Sequence, residues 1–317
     1  MTEGPRNSVA TPISDLTYRD YDGPLLSRRL RWWSVTAGGL RTLWRLDLRA
    51  IAFWICAVLC TGPYLILGFF LWITSTVAGG NSRAFMGSAP GVRFAMLFYF
   101  ALRLQHLFLF VVALIAGAGS VSADNKANAL IVYLAKPITK MDYLLGKWAN
   151  IFIVVFGAAL VPALMLYLYC LAGYTSEGFL RDDPWLILRI VAVSAIAASV
   201  HASLVLGFSA WCRTPRTASA VYSAVYWGAW SIAFALTLRT PDEDMTAAQS
   251  LVAHLSISGV FIGLAQNIYR VTPSRFLNAD FPTPPPWHVL SVVAVVLVLG
   301  GIAAARARIR AVEVIRG

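Results

Sequence analysis

Four histidines, four cysteines, two acidic clusters and one polar trio are the features of this 317-residue chain that could do chemistry. The histidines, His106, His201, His254 and His288, are scattered and form no H-E-x-x-H pair. Cys56, Cys60, Cys170 and Cys212 lie in or at the edge of apolar runs, without the C-x2-C spacing of a metal site. Cys56 and Cys60, four residues apart, share a helix face, a poor geometry for a disulfide, so all four read as small apolar side chains. Asp182-Asp183 beside Pro184, and Asp242-Glu243-Asp244 after Pro241, could do acid–base work or bind a cation, but they read as solvated turns and helix starts. Neither a G-x-x-x-x-G-K-[ST] phosphate loop nor a G-x-S-x-G elbow occurs. The trio Arg103, Gln105 and His106 differs from these because it falls inside an apolar run, where polar groups are costly and face a bundle interior or water. Arg103 and His106, i and i+3, share a helix face. Two readings stand for the trio: the polar lining of a substrate path, or a snorkelling arginine with the glutamine and histidine bonded to neighbouring helices. Arg189, five residues past Pro184, reads as snorkelling, and His201 as hydrogen-bonded to a neighbour. No catalytic, cofactor-binding or metal-ligating residue is expected, and the chain reads as a non-enzyme.

The elements that must position these residues are apolar. Hydrophobic residues make up 58% of the chain and charged ones 13%, against about 45–50% and about 25% in an average soluble domain. The net charge of +11 sits between apolar runs and forms no basic stripe interleaved with aromatics, which favours a membrane and excludes nucleic acid as partner. A spanning helix needs about 20 apolar residues. Runs at 51–77, 94–120, 148–173, 185–211, 217–238 and 287–305 meet this, the last after a Pro-rich hinge at 282–286. A weaker run, 251–269, carries His254 and ends in Gln266-Asn267. With six spans and a cytoplasmic N-terminus, the inside segments 1–50, 121–147, 212–216 and 306–317 hold 18 of the 26 Lys and Arg, and the outside segments hold 6. That bias obeys the positive-inside rule, and a seventh crossing would turn the tail "ARARIR" outward against it. Residues 251–269 therefore read as a re-entrant or surface helix in the outer part of the bundle, with Gly259 and Gly263 allowing close packing.

The expected fold is all-α, a polytopic membrane bundle of six spans over 51–310 between a polar tail, 1–26, and a cytoplasmic tail, 311–317. Residues 27–50 read as an amphipathic helix lying in the cytoplasmic interface. Leu30, Trp33, Ala37, Leu40, Trp44 and Leu48 form its apolar face, with Arg41, Arg45 and Arg49 beside it. The first fifty residues are polar, so no cleavable signal peptide is expected at the start. The outer loop 239–286 carries the partial helix.

The longest inside loop, 121–147, reads "VSADNKANALIVYLAKPITKMDYLLGK". Asp124 or Asn125 can cap a short helix through 126–135, with Ala129, Leu130, Tyr133 and Leu134 on one face. The residue before Pro137 is biased away from helix, so that helix should end near Ala135. Thr139 then caps a new helix, with Asp142 at its third position, which runs into the next span. Lys147 falls at the membrane boundary.

The pattern Leu-x-Lys-Pro-Ile-x-Lys-x-x-Tyr-Leu-Leu-Gly-Lys between the second and third spans resembles the permeases of the type 2 class of ABC exporters, at Ala135, Lys136, Pro137, Lys140, Tyr143, Gly146 and Lys147. Asp124 fits the acidic residue usual before the helix in that family, whereas Asn128-Ala129 stands where a Gly-Thr is usual. The resemblance implies that Asp124, Asn125, Ala129, Leu130, Tyr133, Leu134, Lys136, Pro137, Lys140, Tyr143, Gly146 and Lys147 couple to a separate ABC ATPase subunit. It implies no cofactor in this chain, with ATP and Mg on the partner ATPase, and a homodimer or paired permease in the lipid of the cytoplasmic (inner) membrane with both termini cytoplasmic. An integral-membrane lipid-modifying enzyme, built on Arg103, His106 and the outside carboxylates, or a membrane assembly scaffold, are the other readings. An aromatic content of 13% suits lipids, drugs or peptides as cargo, and equally an interfacial aromatic belt.

Overall fold

Apolar runs this long have one way to satisfy their backbone in lipid, the helix. The computed structural model describes residues 30–42, 48–77, 92–127, 129, 138–236, 247–271, 275–276, 279–280 and 284–309. Its helices are α1 (Arg31–Thr42), α2 (Leu48–Val77), α3 (Val92–Gly117), α4 (Ser122–Lys126), α5 (Lys140–Gly173), α6 (Phe179–Asp182), α7 (Leu186–Trp211), α8 (Pro215–Leu236), α9 (Ala247–His254), α10 (Ile257–Ile268) and α11 (Trp287–Arg308). The strands described are a two-residue antiparallel ladder, β1 (Arg275–Phe276) on β2 (Ala279–Asp280). Five helices are long and apolar enough to cross a membrane: α2, α3 continued through α4, α5, α7 and α11. The shortest, α11, has 22 residues and so is about 33 Å long, against about 30 Å of hydrocarbon.

The run at 217–238 forms a helix of spanning length, α8, but Thr217, Ser219, Tyr222, Ser223 and Tyr226 leave it less apolar than those five. The run at 251–269 is broken at Leu255-Ser256 into α9 and α10. Ser256 caps α10 by accepting the Gly259 N–H at 3.0 Å. With 12 residues, α10 is about 18 Å long, too short to cross. Gly263 approaches both α9 and α11: a Cβ there would lie 2.5 Å from His254 Cδ2 and 2.8 Å from a Leu290 methyl. Arg270, at φ 56, ends α10 in the left-handed region where glycine is usual, and the Val271 and Arg270 N–H groups close the helix end on the Gln266 and Asn267 carbonyls.

The bundle is organised around α7, which packs against α11, α5, α3, α8 and α10. Its most apolar window is 67% buried, against 17% for α11. Small residues make this possible. At the α7–α11 crossing, a Cβ on Gly207 would lie 2.9 Å from the Gly301 carbonyl, and one on Gly301 would lie 2.4 Å from the Ser203 carbonyl. Trp211 then donates its indole N–H to the Ala304 carbonyl at 3.0 Å, at the same end of the pair.

The helix seen before the first span is Arg31–Thr42, and Leu48 to Ala50 already belong to α2. Of its expected apolar face, Trp44 lies outside the described residues, while Leu30 and Trp33 are exposed, at 46% and 43%. The residues of α1 that are buried are Val35 and Thr36, on a second face turned to α5. The expectation of one apolar face thus missed the contact that anchors the helix, because Thr36 and Gly39 carry no apolar signal.

Candidate functional site

Local chemistry builds the start of α5 as expected. Thr139 and Asp142 form a capping box: the Asp142 N–H reaches Thr139 Oγ1 at 3.1 Å, and the Thr139 N–H reaches Asp142 Oδ2 at 3.0 Å. From Lys140 the helix continues unbroken to Gly173.

The other stem of the loop departs from expectation. α3 does not stop at Gly117; a turn over 118–121 carries the chain into α4, with the Ala123 N–H on the Gly119 carbonyl and the Asn125 N–H on that of Val121. Asp124 is therefore inside a helix, and its carboxylate caps no helix among the described residues. The first turn of α4 is capped from another helix, since Ser209 Oγ of α7 accepts the Val121 and Ser122 N–H groups at 3.1 Å each and donates to the Ala118 carbonyl at 2.8 Å. Asn125 reaches the Ala210 carbonyl at 3.4 Å. The expected helix through 126–135 is seen to Lys126, with Ala129 helical. Leu130, Tyr133, Leu134, Lys136 and Pro137 lie outside the described residues.

The carboxylate of Asp124 is free to do something else, and it joins the two stems. Tyr143, fully buried, donates its hydroxyl to Asp124 Oδ2 at 2.7 Å. Lys147 Nζ lies 2.8 Å from the same oxygen and 5.5 Å above the Tyr143 ring. Tyr143 and Lys147 stand i and i+4 on α5, so one helix face presents both to α4. The ion pair is largely withdrawn from water, its side chains 18% and 16% exposed. Gly146, between them, meets α1: a Cβ there would lie 2.6 Å from both the Trp32 carbonyl and Val35 Cβ, and Thr36 Oγ1 donates to the Gly146 carbonyl at 3.1 Å. One turn on, Asn150 fills the space over Gly39, whose Cβ would sit 2.7 Å from Asn150 Cγ. Four of the predicted residues, Asp124, Tyr143, Gly146 and Lys147, thus come together, while Lys140 stands apart at the start of α5. Sequence reasoning missed Ser209, Thr36 and Gly39, whose partners lie about 90 to 110 residues away along the chain.

The mid-bundle trio resolves differently. Gln105 is fully buried; its amide donates to the Cys60 carbonyl at 3.2 Å and the Ala158 carbonyl at 2.9 Å, and its oxygen accepts the Tyr64 hydroxyl at 3.2 Å. It ties α2, α3 and α5, the reading of a residue bonded to neighbouring helices. His106 Nδ1 donates to the Arg103 carbonyl of its own helix. Arg103 hydrogen-bonds Tyr99, whose hydroxyl donates to Gln266 of α10 at 3.3 Å. His201 pairs through Nδ1 with the Tyr222 hydroxyl of α8 at 2.7 Å and stacks on Tyr226, the neighbour expected for it. Arg189 is ion-paired with Asp183, which places both in one contact rather than in a snorkelling side chain and a solvated turn. Among the described residues no cluster of three or more His, Cys, Asp or Glu could hold a metal ion, and the four cysteines are free.

A family model described as ABC-2 family transporter protein matches residues 77–306, well over half of the chain, including Asp124, Tyr143, Gly146 and Lys147 but not α1. No curated protein matches the chain. The family does not favour the enzyme and scaffold readings. Apolar helices of spanning length, packed on a core helix of small residues, and a family match that extends over four of the five of them, lead to one assignment: the chain belongs to the ABC-2 transporter family and is an integral membrane component of transport.

Proposed function

We propose that the chain is the permease subunit of an ATP-binding cassette exporter, with α8 as a sixth span and α9–α10 re-entrant on the outer side. The 121–147 segment docks on a separate ATPase subunit that carries the ATP and Mg. Two permease chains, identical or paired, complete the path in the cytoplasmic membrane, with both termini cytoplasmic. The observation that supports this most is the clasp of Asp124 with Tyr143 and Lys147 at the base of the segment. A loop meant only to connect would not need its stems joined by a mostly buried ion pair; a loop that transmits displacement does. With the stems clasped and Gly146 held against α1, movement imposed on residues 128–137 passes to α3, α5 and α1 together, and the bundle responds by rigid-body rearrangement.

Co-purification with an ABC ATPase tests the partner. Replacing Ala129, Leu130, Tyr133 and Leu134 by Ser should abolish capture of the ATPase and its stimulation. Full capture and unchanged hydrolysis by that variant would remove the coupling role from the segment.

A further inference from the structure

A recess runs between α2 and α5 on the outside of the bundle. Its lower part has a volume of about 450 Å³ and is lined by Phe53, Ala57 and Val58 of α2, Val154 and Gly157 of α5, and Leu40 of α1. It meets a second recess of about 350 Å³ at Thr61 and Pro162, which line both. From Ile153 to Pro162 the lower recess follows ten residues of α5, a rise of about 14 Å, which is half of the roughly 30 Å hydrocarbon thickness and so one leaflet. The depth comes from missing side chains: a Cβ on Gly157 would have no atom within 4 Å. By contrast Val292, Val295, Val296 and Leu299 on α11 project outward, 53–64% exposed.

We propose that the lower recess is a binding site for one acyl chain of an anionic phospholipid, from the leaflet in which α1 lies, with the headgroup phosphate beside Arg41. The proposal rests on α1 being an interfacial helix. Within a bilayer an acyl chain gains nothing by leaving other acyl chains, so what selects it is packing against a concave wall that rigid side chains leave unfilled. Leu40 lines the α1 end of the recess, and the next residue, Arg41, is exposed in the last, basic turn of α1. A cation at headgroup height at the α1 end of an apolar slot suits a phospholipid whose acyl chain runs inward from that end. It does not match a fully apolar cargo, nor a second copy of this chain, which would set its own lipid-facing helix against that cation.

The test is to reconstitute the full chain in vesicles of phosphatidylcholine and phosphatidylglycerol, with a trace of either lipid carrying a diazirine on its acyl chain, and to map photolabelled residues by mass spectrometry. Labelling of α2 and α5 at 53–61 and 153–162 should exceed, per exposed residue, that of α11 at 292–299. Gly157→Leu should lower labelling of the recess to the α11 level and leave α11 unchanged, and Gly157→Val, a smaller fill, should fall between. Arg41→Gln should cut the preference for the phosphatidylglycerol probe about fivefold, the factor one near-surface basic residue contributes. Equal labelling of the two faces in the wild type, or recess labelling untouched by both fillings, overturns the site. An unchanged lipid preference in Arg41→Gln overturns the headgroup contact, and disulfide-linked dimers of Gly157→Cys that abolish labelling would assign the recess to a second copy. Labelling of Leu30 and Trp33 reports separately whether α1 lies on the membrane, so failure of that premise is distinguishable from failure of the recess.

Discussion

Two polar regions withdrawn from water, the base of the 121–147 segment and the contacts of Gln105 and His201, are built from opposite materials. At the base of the 121–147 segment, Asp124 and Lys147 form an ion pair where helices end. In the middle of the bundle, Gln105 with Tyr64, and His201 with Tyr222, use uncharged groups bonded to neighbouring helices. Depth explains the division. At a helix end, a charge can keep part of its hydration, and the pair retains 16–18% exposure. In mid-span the cost of a charge is several times that of an amide, so helices are joined there by neutral donors that reach backbone carbonyls. The first centre can be opened by a change at the surface; the second has no such handle.

The distinction can be broken by substitution. Asp124→Ala should have the largest effect, because it leaves the Lys147 ammonium without its carboxylate in a site only partly open to water. A loss of about 2–3 kcal/mol is expected, below the 3–5 typical of a fully buried pair, measured by chemical denaturation in detergent. If the proposed ATPase is the partner, the same variant should lose stimulation of its hydrolysis while keeping capture. Gln105→Leu should cost about 2 kcal/mol, since intramembrane hydrogen bonds average about 0.6 each and the Tyr64 hydroxyl also loses its acceptor. Its stimulation of the proposed ATPase, per folded permease molecule, should stay at the wild-type level; if it falls as far as in Asp124→Ala, the two centres do not differ in function. Tyr143→Phe removes one hydrogen bond to a charged group and should cost about 1.5 kcal/mol, with a coupling to Lys147→Met detectable in a double-mutant cycle. His201→Phe keeps the stacking on Tyr226 and loses the Tyr222 bond; about 0.6 kcal/mol, seen as a small shift in the thermal unfolding midpoint, would sharpen the contrast from its weak side.

What could be read in the sequence follows the range of the interaction. The Thr139–Asp142 box depends on residues three apart and appears as expected, as does the unbroken helix beyond it. Five apolar runs become helices both long and apolar enough to span, because hydropathy and length are properties of one segment. The Leu255-Ser256 interruption between α9 and α10, by contrast, has no counterpart in the reading of 251–269 as one weaker run. The clasp of Asp124 has no local signal: its partners, Tyr143 and Lys147, are 19 and 23 residues away on another helix, and nothing local fixes the rotation that turns them together. Gly146 is the sharper case. Its motif was recognised, but its physical reason is Val35, more than a hundred residues earlier, approaching to within a Cβ of its backbone. Glycine carries no periodic signal, so contacts made by what is missing are the hardest to foresee.

The glycine crossing of α7 and α11 has a consequence for biogenesis. Gly301 follows Gly207 by 94 positions, so the partner surface does not exist when α7 leaves the ribosome. During that interval the stripe of small residues that makes α7 the most buried of the five candidate spans faces other company, lipid or the insertion machinery. The central helix is therefore the one whose native surroundings are completed late, and a wedge such as Gly301→Val would act on assembly before it acted on transport.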